Sequence, residues 1–242
     1  MNNVGIVILA AGKGKRMQSD LPKVLHELNN KPLIEYVVSL VEKLNIRPVV
    51  VVSEDGLVKK YLVDRADYAI QSERLGTGHA VMQAEDLLKN KFGKVVVLYG
   101  DMPFLKPESV SNLVDVHEKQ NNKITLMTTR VPNFENNYKE FYDFGRIVRN
   151  SVGIVNKIVE KKDASAEELE IRELNTGYFC FESDWLWNNL KKLKNNNQAG
   201  EYYLTDLVGL AIENGDRVGS IEILSEEAIG INTKEHLEKL EN

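Results

Sequence analysis

Short runs rich in valine and isoleucine alternate with helix-length amphipathic segments through the first half of the chain. This alternation predicts βαβ units around a mainly parallel central sheet, which is a doubly wound, Rossmann-like α/β layout. The predicted strands are Val4–Leu9, Pro48–Val52, Tyr68–Gln71 and Val95–Tyr99, and the predicted helices are Leu33–Leu44, Leu57–Val63 and Gly78–Lys89. Because ligands in such sheets bind beyond the carboxyl ends of the strands, the segments after Leu9, Gln71 and Tyr99 are candidate site segments.

The second half of the chain is less regular. Its patterns predict strands at Lys123–Arg130, Arg146–Val159 and Tyr178–Phe181, followed by helices at Trp185–Lys194 and Tyr203–Glu213. We find no linker, repeat or low-complexity tract that would separate a second unit. The 242 residues therefore predict one compact domain.

The overall charge and composition argue against several classes of protein. The formal net charge of -5 argues against a general nucleic-acid surface, because non-specific nucleic-acid binding requires a basic face. No apolar run approaches the ~20 residues that a membrane-spanning helix requires. Cys180 is the single cysteine, which excludes an internal disulfide framework and predicts a cytoplasmic location.

The first predicted strand runs directly into a glycine-containing segment, Leu9-Ala-Ala-Gly-Lys-Gly-Lys-Arg-Met17. Gly12 and Gly14 predict a turn whose backbone N–H groups converge on an anion. A dinucleotide-binding fingerprint is excluded because Met17 stands where a third glycine or alanine is required. A P-loop is excluded because no serine or threonine follows either Gly-Lys pair.

Two cations of this segment can face one polyphosphate. Arg16 lies in the glycine loop, and Lys23 follows Pro22 in the segment Leu21-Pro-Lys-Val-Leu-His26. Taken alone, these charges fit equally well a solvated strand–helix turn. Together, the two segments resemble the signature of the sugar-nucleotide nucleotidyltransferases, which join a nucleoside triphosphate to a sugar 1-phosphate. Family members more often have threonine where Lys15 stands.

The resemblance implies roles for this loop. Arg16 and Lys23 would be catalytic, and the triphosphate would contact Leu9, Ala10, Ala11, Gly12, Gly14 and Lys23.

The second candidate segment is Gln71-Ser-Glu-Arg-Leu-Gly-Thr-Gly-His-Ala80. One structural explanation is that Thr77 caps a helix beginning at Gly78. That explanation does not account for Gln71, whose amide offers both a donor and an acceptor to the edge of a base. By the family resemblance, Gln71, Gly76 and Thr77 would contact uracil.

The third candidate segment is Tyr99-Gly-Asp-Met-Pro103, which follows a strongly apolar strand. It presents Asp101 at the ligand-binding edge, although a lone aspartate there is also typical of a turn. Mg²⁺ usually takes only one or two protein oxygens, so Asp101 is a candidate magnesium ligand without an acidic cluster around it.

Further motifs match the same family in order along the second half of the chain: Phe144-Gly-Arg-Ile, Ile158-Val-Glu-Lys-Lys-Asp, Asn175-Thr-Gly, Gly200-Glu-Tyr-Tyr-Leu-Thr-Asp and Gly230-Ile-Asn. The match is most similar to the uridylyltransferase branch that makes UDP-N-acetylglucosamine. It implies that Asn232 shares Mg²⁺ with Asp101. The residues that would surround the sugar are Tyr99, Gly100, Gly145, Glu160, Asn175, Tyr203 and Thr205.

The resemblance also implies a division of labour within one nucleotidyltransferase domain. Residues 1–105 would form its nucleotide-binding half, and residues 106–242 a sugar-binding half with a smaller β region. Phe144 departs from the family, which commonly has tyrosine there. No hexapeptide repeat of the left-handed β-helix acetyltransferase type is visible, so we expect neither acetyl transfer nor the trimer that such a domain assembles.

The predicted activity is a Mg²⁺-dependent uridylyl transfer from UTP to N-acetylglucosamine 1-phosphate, with small molecules as the partners and neither nucleic acid nor membrane. One alternative is a nucleotidyltransferase that uses another sugar 1-phosphate or dTTP. Another, from a different class, is a paralogue that binds nucleotide sugars without turning them over.

Overall fold

The computed structural model describes residues 3–12, 14, 17 and 19–241. Its helices and strands follow one another in the order β1 Val4–Leu9, β2 Glu27–Leu28, β3 Lys31–Pro32, α1 Leu33–Lys43, β4 Val49–Val52, α2 Leu57–Leu62, β5 Asp67–Ile70, α3 Thr77–Met82, α4 Glu85–Leu88, β6 Lys94–Tyr99, α5 Pro107–Lys119, β7 Ile124–Arg130, β8 Arg146–Arg149, β9 Val155–Val159, α6 Ala166–Leu169, β10 Glu173–Glu182, α7 Ser183–Leu190, α8 Asp206–Glu213, β11 Val218–Glu222 and α9 Lys234–Glu241. Short 3₁₀ helices lie at Lys23–Leu25, Asn136–Asp143, Lys161–Asp163 and Ser225–Ala228.

One large sheet organises the molecule, with the strand order β11-β7-β10-β6-β1-β4-β5. The neighbours β6–β1, β1–β4, β4–β5 and β11–β7 are parallel. Strand β10 is antiparallel to both β6 and β7, and the β8–β9 hairpin extends the sheet from β10. The predicted single-domain α/β fold with a mainly parallel sheet is confirmed.

Helices cover both faces of the sheet, because its central strands are apolar on both sides. Along β1, Ile6 and Ile8 face one core while Val7 and Leu9 face the other, which is the two-residue period of a strand. Apolar residues of α1, α2 and α5 join the first core, and those of α3, α4, α7 and α8 join the second. This arrangement is the doubly wound layout that the sequence predicts.

Three predicted elements differ from the structure by more than small shifts of their ends. The predicted strand Arg146–Val159 is a hairpin, because Asn150 turns the chain and its Oδ1 accepts from Ile154 N at 3.0 Å. The predicted helix Gly78–Lys89 is interrupted, because Gln83 N and Ala84 N donate to carbonyls three residues back, at Ala80 and Val81. The third is β10, which is longer than predicted and continues through a register shift between Asn175 and Phe179.

The carboxyl ends of the parallel strands β1, β4, β5 and β6 meet at one edge of the sheet. At this edge Asp101 follows β6 and Gln71 follows β5, while the glycine loop follows β1. Among the residues that the structure describes, no helix is both long enough and apolar enough to span a membrane.

Candidate active site

Two adjoining cavities lie at the carboxyl edge of the sheet. The first, of about 390 Å³, is here named the loop cavity; its lining includes the predicted residues Leu9, Ala10, Ala11, Gly12, Lys23, Gln71, Gly76, Thr77, Tyr99, Asp101 and Asn232. The second, of about 280 Å³, is named the bulge cavity; its lining includes Gly145, Glu160, Asn175, Tyr203 and Thr205. Both are lined by Thr77, Tyr99, Asp101 and Asn232. The two cavities therefore form one cleft with a shared floor.

The glycines of the loop serve two different physical purposes. Gly14 has φ +59, and a Cβ atom added there would lie 2.7 Å from Lys23 Cβ, so its left-handed backbone lets the loop close against Lys23. A Cβ atom added at Gly12 would meet nothing within 4 Å among the described residues, so the space beside Gly12 is open to a ligand. Gly12 lines the loop cavity, whereas Gly14, also predicted to contact the triphosphate, lines neither cavity.

The Lys23 ammonium lies in the wall of the loop cavity, against two residues that line both cavities. Pro22 precedes the 3₁₀ turn Lys23–Leu25, with φ -50 fixed by its ring. Lys23 Nζ forms an ion pair with Asp101 Oδ2 and lies 2.7 Å from Asn232 Oδ1. Two oxygen atoms from distant parts of the chain therefore converge on one cation.

The backbone brings these two oxygen-bearing residues together. Asp101 follows the buried strand β6, and Ile231 N donates to Asp101 O at 3.0 Å. This hydrogen bond places the segment that contains Asn232 beside the end of β6. A carboxylate and an amide oxygen form a donor set that suits a hard cation such as Mg²⁺. The described residues contain no cluster of three or more histidine, cysteine, aspartate or glutamate side chains able to hold a metal ion.

Gln71 is buried in the wall of the loop cavity, with 5% of its surface exposed. Its backbone N–H continues the sheet by donating to Val52 O at 2.8 Å. Its side-chain Nε2 lies 3.2 Å from Gly76 O and 3.2 Å from His79 Nδ1. The segment from Gln71 to Gly76 is therefore a closed turn rather than an open loop.

The predicted capping role of Thr77 is wrong. Helix α3 begins at Thr77 itself, Gly76 is its N-cap, and no side chain caps it. Thr77 Oγ1 instead accepts from Leu204 N at 3.0 Å, and Gly78 N donates to Tyr202 O at 2.8 Å. The hydroxyl ties the Gly76–Thr77 turn to the segment before α8. This contact joins the walls of the two cavities.

The bulge cavity is built from β10 and the β8–β9 hairpin. Asn175 N donates to Gly145 O at 2.9 Å, and Asn175 Oδ1 accepts from Gly177 N at 3.1 Å. Thr205 Oγ1 donates to Glu160 Oε1 at 3.0 Å. These contacts bring Gly145, Glu160, Asn175 and Thr205 together in the lining of one cavity.

The bulge cavity contains several acids in a partly desolvated space. Burial raises the pKa of Glu160, and the nearby carboxylates of Asp206 and Asp163 raise it further. Burial, with Asp163 and Glu160 as neighbours, also raises the pKa of Tyr203 to about 12. The Tyr203 hydroxyl therefore remains a proton donor at neutral pH, and a ligand here meets both a donor and acidic acceptors.

Tyr99 forms part of the floor that the two cavities share. A Cβ atom added at Gly177, whose φ is +84, would lie 2.7 Å from Tyr99 Cε2. Gly177 lies within the register shift of β10, so the bulge of that strand and the Tyr99 ring fit together only because residue 177 is glycine. Burial raises the pKa of the Tyr99 hydroxyl, and the carboxylates of Glu160 and Asp101 add to the shift.

The structure does not bring every predicted residue to the cleft. Gly100 lines neither cavity: its N–H donates to Leu9 O at 3.0 Å, and an added Cβ atom would lie 2.8 Å from Ile34 Cδ1. The absence of a side chain at Gly100 allows the end of β6 to approach α1. Arg16, together with Lys13 and Lys15, lies outside the described residues. The catalytic role of Arg16 stays a prediction.

Several residues of the cleft are absent from the predicted set, among them Arg74 and Glu201. Arg74 lines the loop cavity, and its Nε donates to Ala11 O at 2.8 Å, which ties the glycine loop to the turn after β5. Glu201 lines both cavities. Both lie within sequence motifs that supplied predicted site residues. Their position in those motifs was the signal that could have identified them.

A family model described as the MobA-like NTP transferase domain matches residues 6–148 of the chain. The bifunctional protein GlmU of Clostridium acetobutylicum is 44% identical over 231 residues, covering 94% of this chain and 49% of that protein. GlmU of Enterococcus faecalis is 42% identical over 237 residues, covering 97% and 50%. The chain spans about half the length of these curated relatives.

A solved structure, that of UDP-glucose pyrophosphorylase complexed with UDP-glucose, has the same fold. It superposes with a TM-score of 0.75 and 16% sequence identity, covering 100% of this chain and 98% of the other. At that identity the likeness shows the fold alone. The family model, by contrast, covers more than half of the chain. The curated relatives match nearly the whole chain, as the sequence motifs do. The chain belongs to the family of MobA-like NTP transferase domains and is a relative of GlmU.

Proposed function

We propose that this chain is a uridylyltransferase that joins UTP to N-acetylglucosamine 1-phosphate and releases pyrophosphate. The observation that carries the proposal is the junction of the two cavities at Asp101 and Asn232, which line both cavities and contact the Lys23 ammonium. A nucleotide in the loop cavity and a sugar phosphate in the bulge cavity would meet there. The Lys23 ammonium can neutralise two polyanions that must be brought into contact, and the oxygens of Asp101 and Asn232 hold that ammonium in place.

The loop cavity suits a uracil nucleotide and the bulge cavity suits a sugar. The buried Gln71 amide lies in the wall of the loop cavity and matches the hydrogen-bonding edge of a base. Glu160, Asn175 and Tyr203 supply directional acceptors and donors for sugar hydroxyls. Residues 1–105 would thus provide the nucleotide side, and residues 106–242 most of the sugar side. UDP-glucose in the fold neighbour is an analogy in favour of this class of ligand.

The reaction would be a direct in-line displacement. A phosphate oxygen of the sugar 1-phosphate forms a bond to the α-phosphorus of UTP, and the bond from that phosphorus to the β-phosphate oxygen breaks. Lys23 would neutralise charge on the phosphates at the junction, and the open backbone beside Gly12 would admit the triphosphate. Arg16 would add a second cation on the loop side.

Asp101 and Asn232 would hold Mg²⁺, which supplies positive charge to phosphate oxygens when bound. The fit rests on the convergence of their oxygens on a single cation, Lys23 Nζ, in this structure. A metal ion on both oxygens would compete with that ammonium for them.

Replacing Asp101 tests the junction. We expect Asp101→Ala to lose ~10²-fold or more of Mg²⁺-dependent turnover while the fold is retained, because one charge-positioning group is removed at the reacting phosphates. Turnover is measured as pyrophosphate release over a magnesium titration, and folding by circular dichroism. Asp115→Ala, on the exposed face of α5, is the matched control and should be unaffected. Near-normal turnover of Asp101→Ala would refute the metal assignment.

A substrate panel separates the alternatives. Pyrophosphate release is measured with UTP and dTTP, each with N-acetylglucosamine 1-phosphate and glucose 1-phosphate. The proposal predicts the highest rate with UTP and N-acetylglucosamine 1-phosphate. A dominant rate with glucose 1-phosphate would overturn the choice of sugar, and tight binding of a UDP-sugar without pyrophosphate release would favour a non-catalytic paralogue.

A further inference from the structure

The amide group of Gln71 has a fixed orientation. Its Nε2 lies 3.2 Å from Gly76 O, and a carbonyl oxygen can only accept a hydrogen bond. The Gly76 carbonyl therefore accepts one of the two amide hydrogens. Gly76 itself is held, because a Cβ atom added there would lie 2.6 Å from Tyr202 O. One of the two amide hydrogens thus has its acceptor in a tightly packed turn.

His79 takes the second hydrogen of the same amide. With one hydrogen of Gln71 Nε2 directed at Gly76, the other faces His79 Nδ1 at 3.2 Å. This contact requires the tautomer in which Nδ1 is unprotonated and Nε2 carries the hydrogen. Both amide hydrogens are then used inside the protein, and only the acceptor Oε1 is left for the loop cavity.

Gln83 competes for the same imidazole. Gln83 Nε2 lies 3.2 Å from His79 Nε2, but it also donates to His79 O at 2.9 Å. A neutral imidazole has one acceptor nitrogen and can serve only one of the two amides. Gln71 is the more buried of the two, so an unpaired N–H would cost more there. The imidazole acceptor therefore belongs to Gln71.

We propose that His79 is a positioning residue that holds Gln71 with its carbonyl oxygen toward the base and thereby selects uracil over cytosine. The inference rests on the proposed function. N3 of uracil carries a hydrogen that Gln71 Oε1 can accept, whereas N3 of cytosine has a lone pair that the same oxygen repels. Thymine shares the N3–H of uracil, so this device does not separate UTP from dTTP.

The test is the ratio of kcat/KM for UTP to that for CTP, measured by pyrophosphate release. We expect His79→Leu to lower this ratio about tenfold, which is the size of one hydrogen bond, mainly by raising the KM for UTP. His79→Asn should restore most of the ratio, because its amide can place an acceptor where Nδ1 stands. Gln83→Leu is the matched control: it removes the other contact of the ring and should leave the ratio unchanged.

Folding of each variant is checked by its melting temperature. If His79→Leu does not fold, His79→Gln replaces it, since its longer side chain reaches the place of Nε2 rather than that of Nδ1. The proposal predicts a lower ratio for His79→Gln than for His79→Asn. An unchanged ratio in the His79→Leu or His79→Gln variant, or an equal fall in Gln83→Leu, would overturn it.

Failure of the proposed function is a separate result. If the wild-type protein releases no pyrophosphate with any triphosphate, the same proteins are compared by calorimetric binding of UDP and CDP. A preference of the wild type for UDP that His79→Leu loses and Gln83→Leu keeps would support the role of His79. Equal binding of UDP and CDP, or no binding of either, would overturn it.

Discussion

At the scale of single residues, Lys23 is held by Asp101 and Asn232, which are far from it in the chain. Its ammonium therefore has a fixed place in the cleft, whereas a lysine near a glycine loop is commonly solvated. The local sequence contains no sign of this pairing. The family motifs supplied all three residues, but the convergence of their side chains is a tertiary property.

Thr77 illustrates the opposite case, in which a local rule gives the wrong structure. A threonine before a helical segment usually caps the helix with its hydroxyl. Here the hydroxyl accepts from Leu204 N instead, because the segment before α8 crosses the turn and needs a partner for its N–H. The partner is 127 residues away in the chain, so no local pattern could have predicted it.

The raised pKa of Glu160 leads to a stability prediction. Its native carboxyl group is harder to ionise than in the unfolded chain, chiefly because of burial, so ionisation costs stability as the pH rises above the ordinary value of 4.5. Glu160→Gln removes this cost and can still accept from Thr205 through its amide oxygen. We expect the variant to melt at a higher temperature than the wild type at pH 7, by about 2–4 °C for each ~1 kcal/mol recovered.

The pH dependence distinguishes this cause from a general effect of the substitution. Below pH 4.5 the wild-type carboxyl group is mostly protonated in both states, so most of the advantage of Glu160→Gln should disappear there. Glu54→Gln removes an exposed carboxylate and serves as the control. The two proteins are melted at pH 7 and pH 4. A gain of equal size at both pH values would contradict the burial argument.

At the scale of elements, β10 connects the core of the sheet to the bulge cavity. Its segment Phe179–Phe181 pairs regularly with β6 and β7, whereas Asn175, Thr176 and Gly177 lie around the register shift. The apolar end was predictable as a strand. The polar and glycine-containing end was not, because asparagine and glycine are depleted in strands and here serve a bulge.

Substitution of Gly177 tests how this bulge supports Tyr99. We expect Gly177→Ala to destabilise the protein by roughly 1–2 kcal/mol through its left-handed backbone. In addition, the new methyl group would displace the Tyr99 ring, because the added Cβ atom would lie 2.7 Å from Cε2. The KM for the sugar 1-phosphate should rise more than the KM for UTP.

Gly153→Ala is the matched control for this substitution. Gly153 has φ +83, close to the +84 of Gly177, but a Cβ atom added there would meet nothing within 4 Å among the described residues. It lies in the turn of the β8–β9 hairpin, away from both cavities. It should carry a similar backbone cost without any change in KM. An equal change in KM in the two variants would show that the bulge does not position Tyr99.

Some elements were missed although the sequence contains their signal. Helix α5 has a proline at its first turn and buries Val110, Leu113, Val114 and His117 at helical spacing. The edge strand β11, Val218–Glu222, gives no comparable signal, because it is short and only partly buried. Its pairing with β7 is decided by the fold.

At the scale of the whole molecule, the sequence predicted the class of fold because β1, β4 and β6 are apolar on both faces. Such strands require helices on both sides of the sheet, and the helical segments between them provide these. The antiparallel insertion of β10 between β6 and β7 was not predictable, since strand order depends on long-range pairing. That insertion sets the bulge cavity beside the loop cavity.

The position of the loop cavity followed from one rule, that ligands bind at the carboxyl ends of parallel strands. The rule selected the segments after β1, β5 and β6, and all three line the loop cavity. It could not indicate the bulge cavity, whose residues come from β10, the β8–β9 hairpin and the turn before α8. Those residues were predicted only from the resemblance.

The central claim is that the cleft transfers a uridylyl group, and transfer of a label tests it most directly. The protein is incubated with Mg²⁺, N-acetylglucosamine 1-phosphate and UTP labelled with ³²P at the α-phosphate, and the products are separated by chromatography. The account predicts that the label moves into UDP-N-acetylglucosamine, with one unlabelled pyrophosphate released per labelled product and no label left on the protein. Label that remains in UTP, or that appears in UMP without a UDP-sugar, would contradict it.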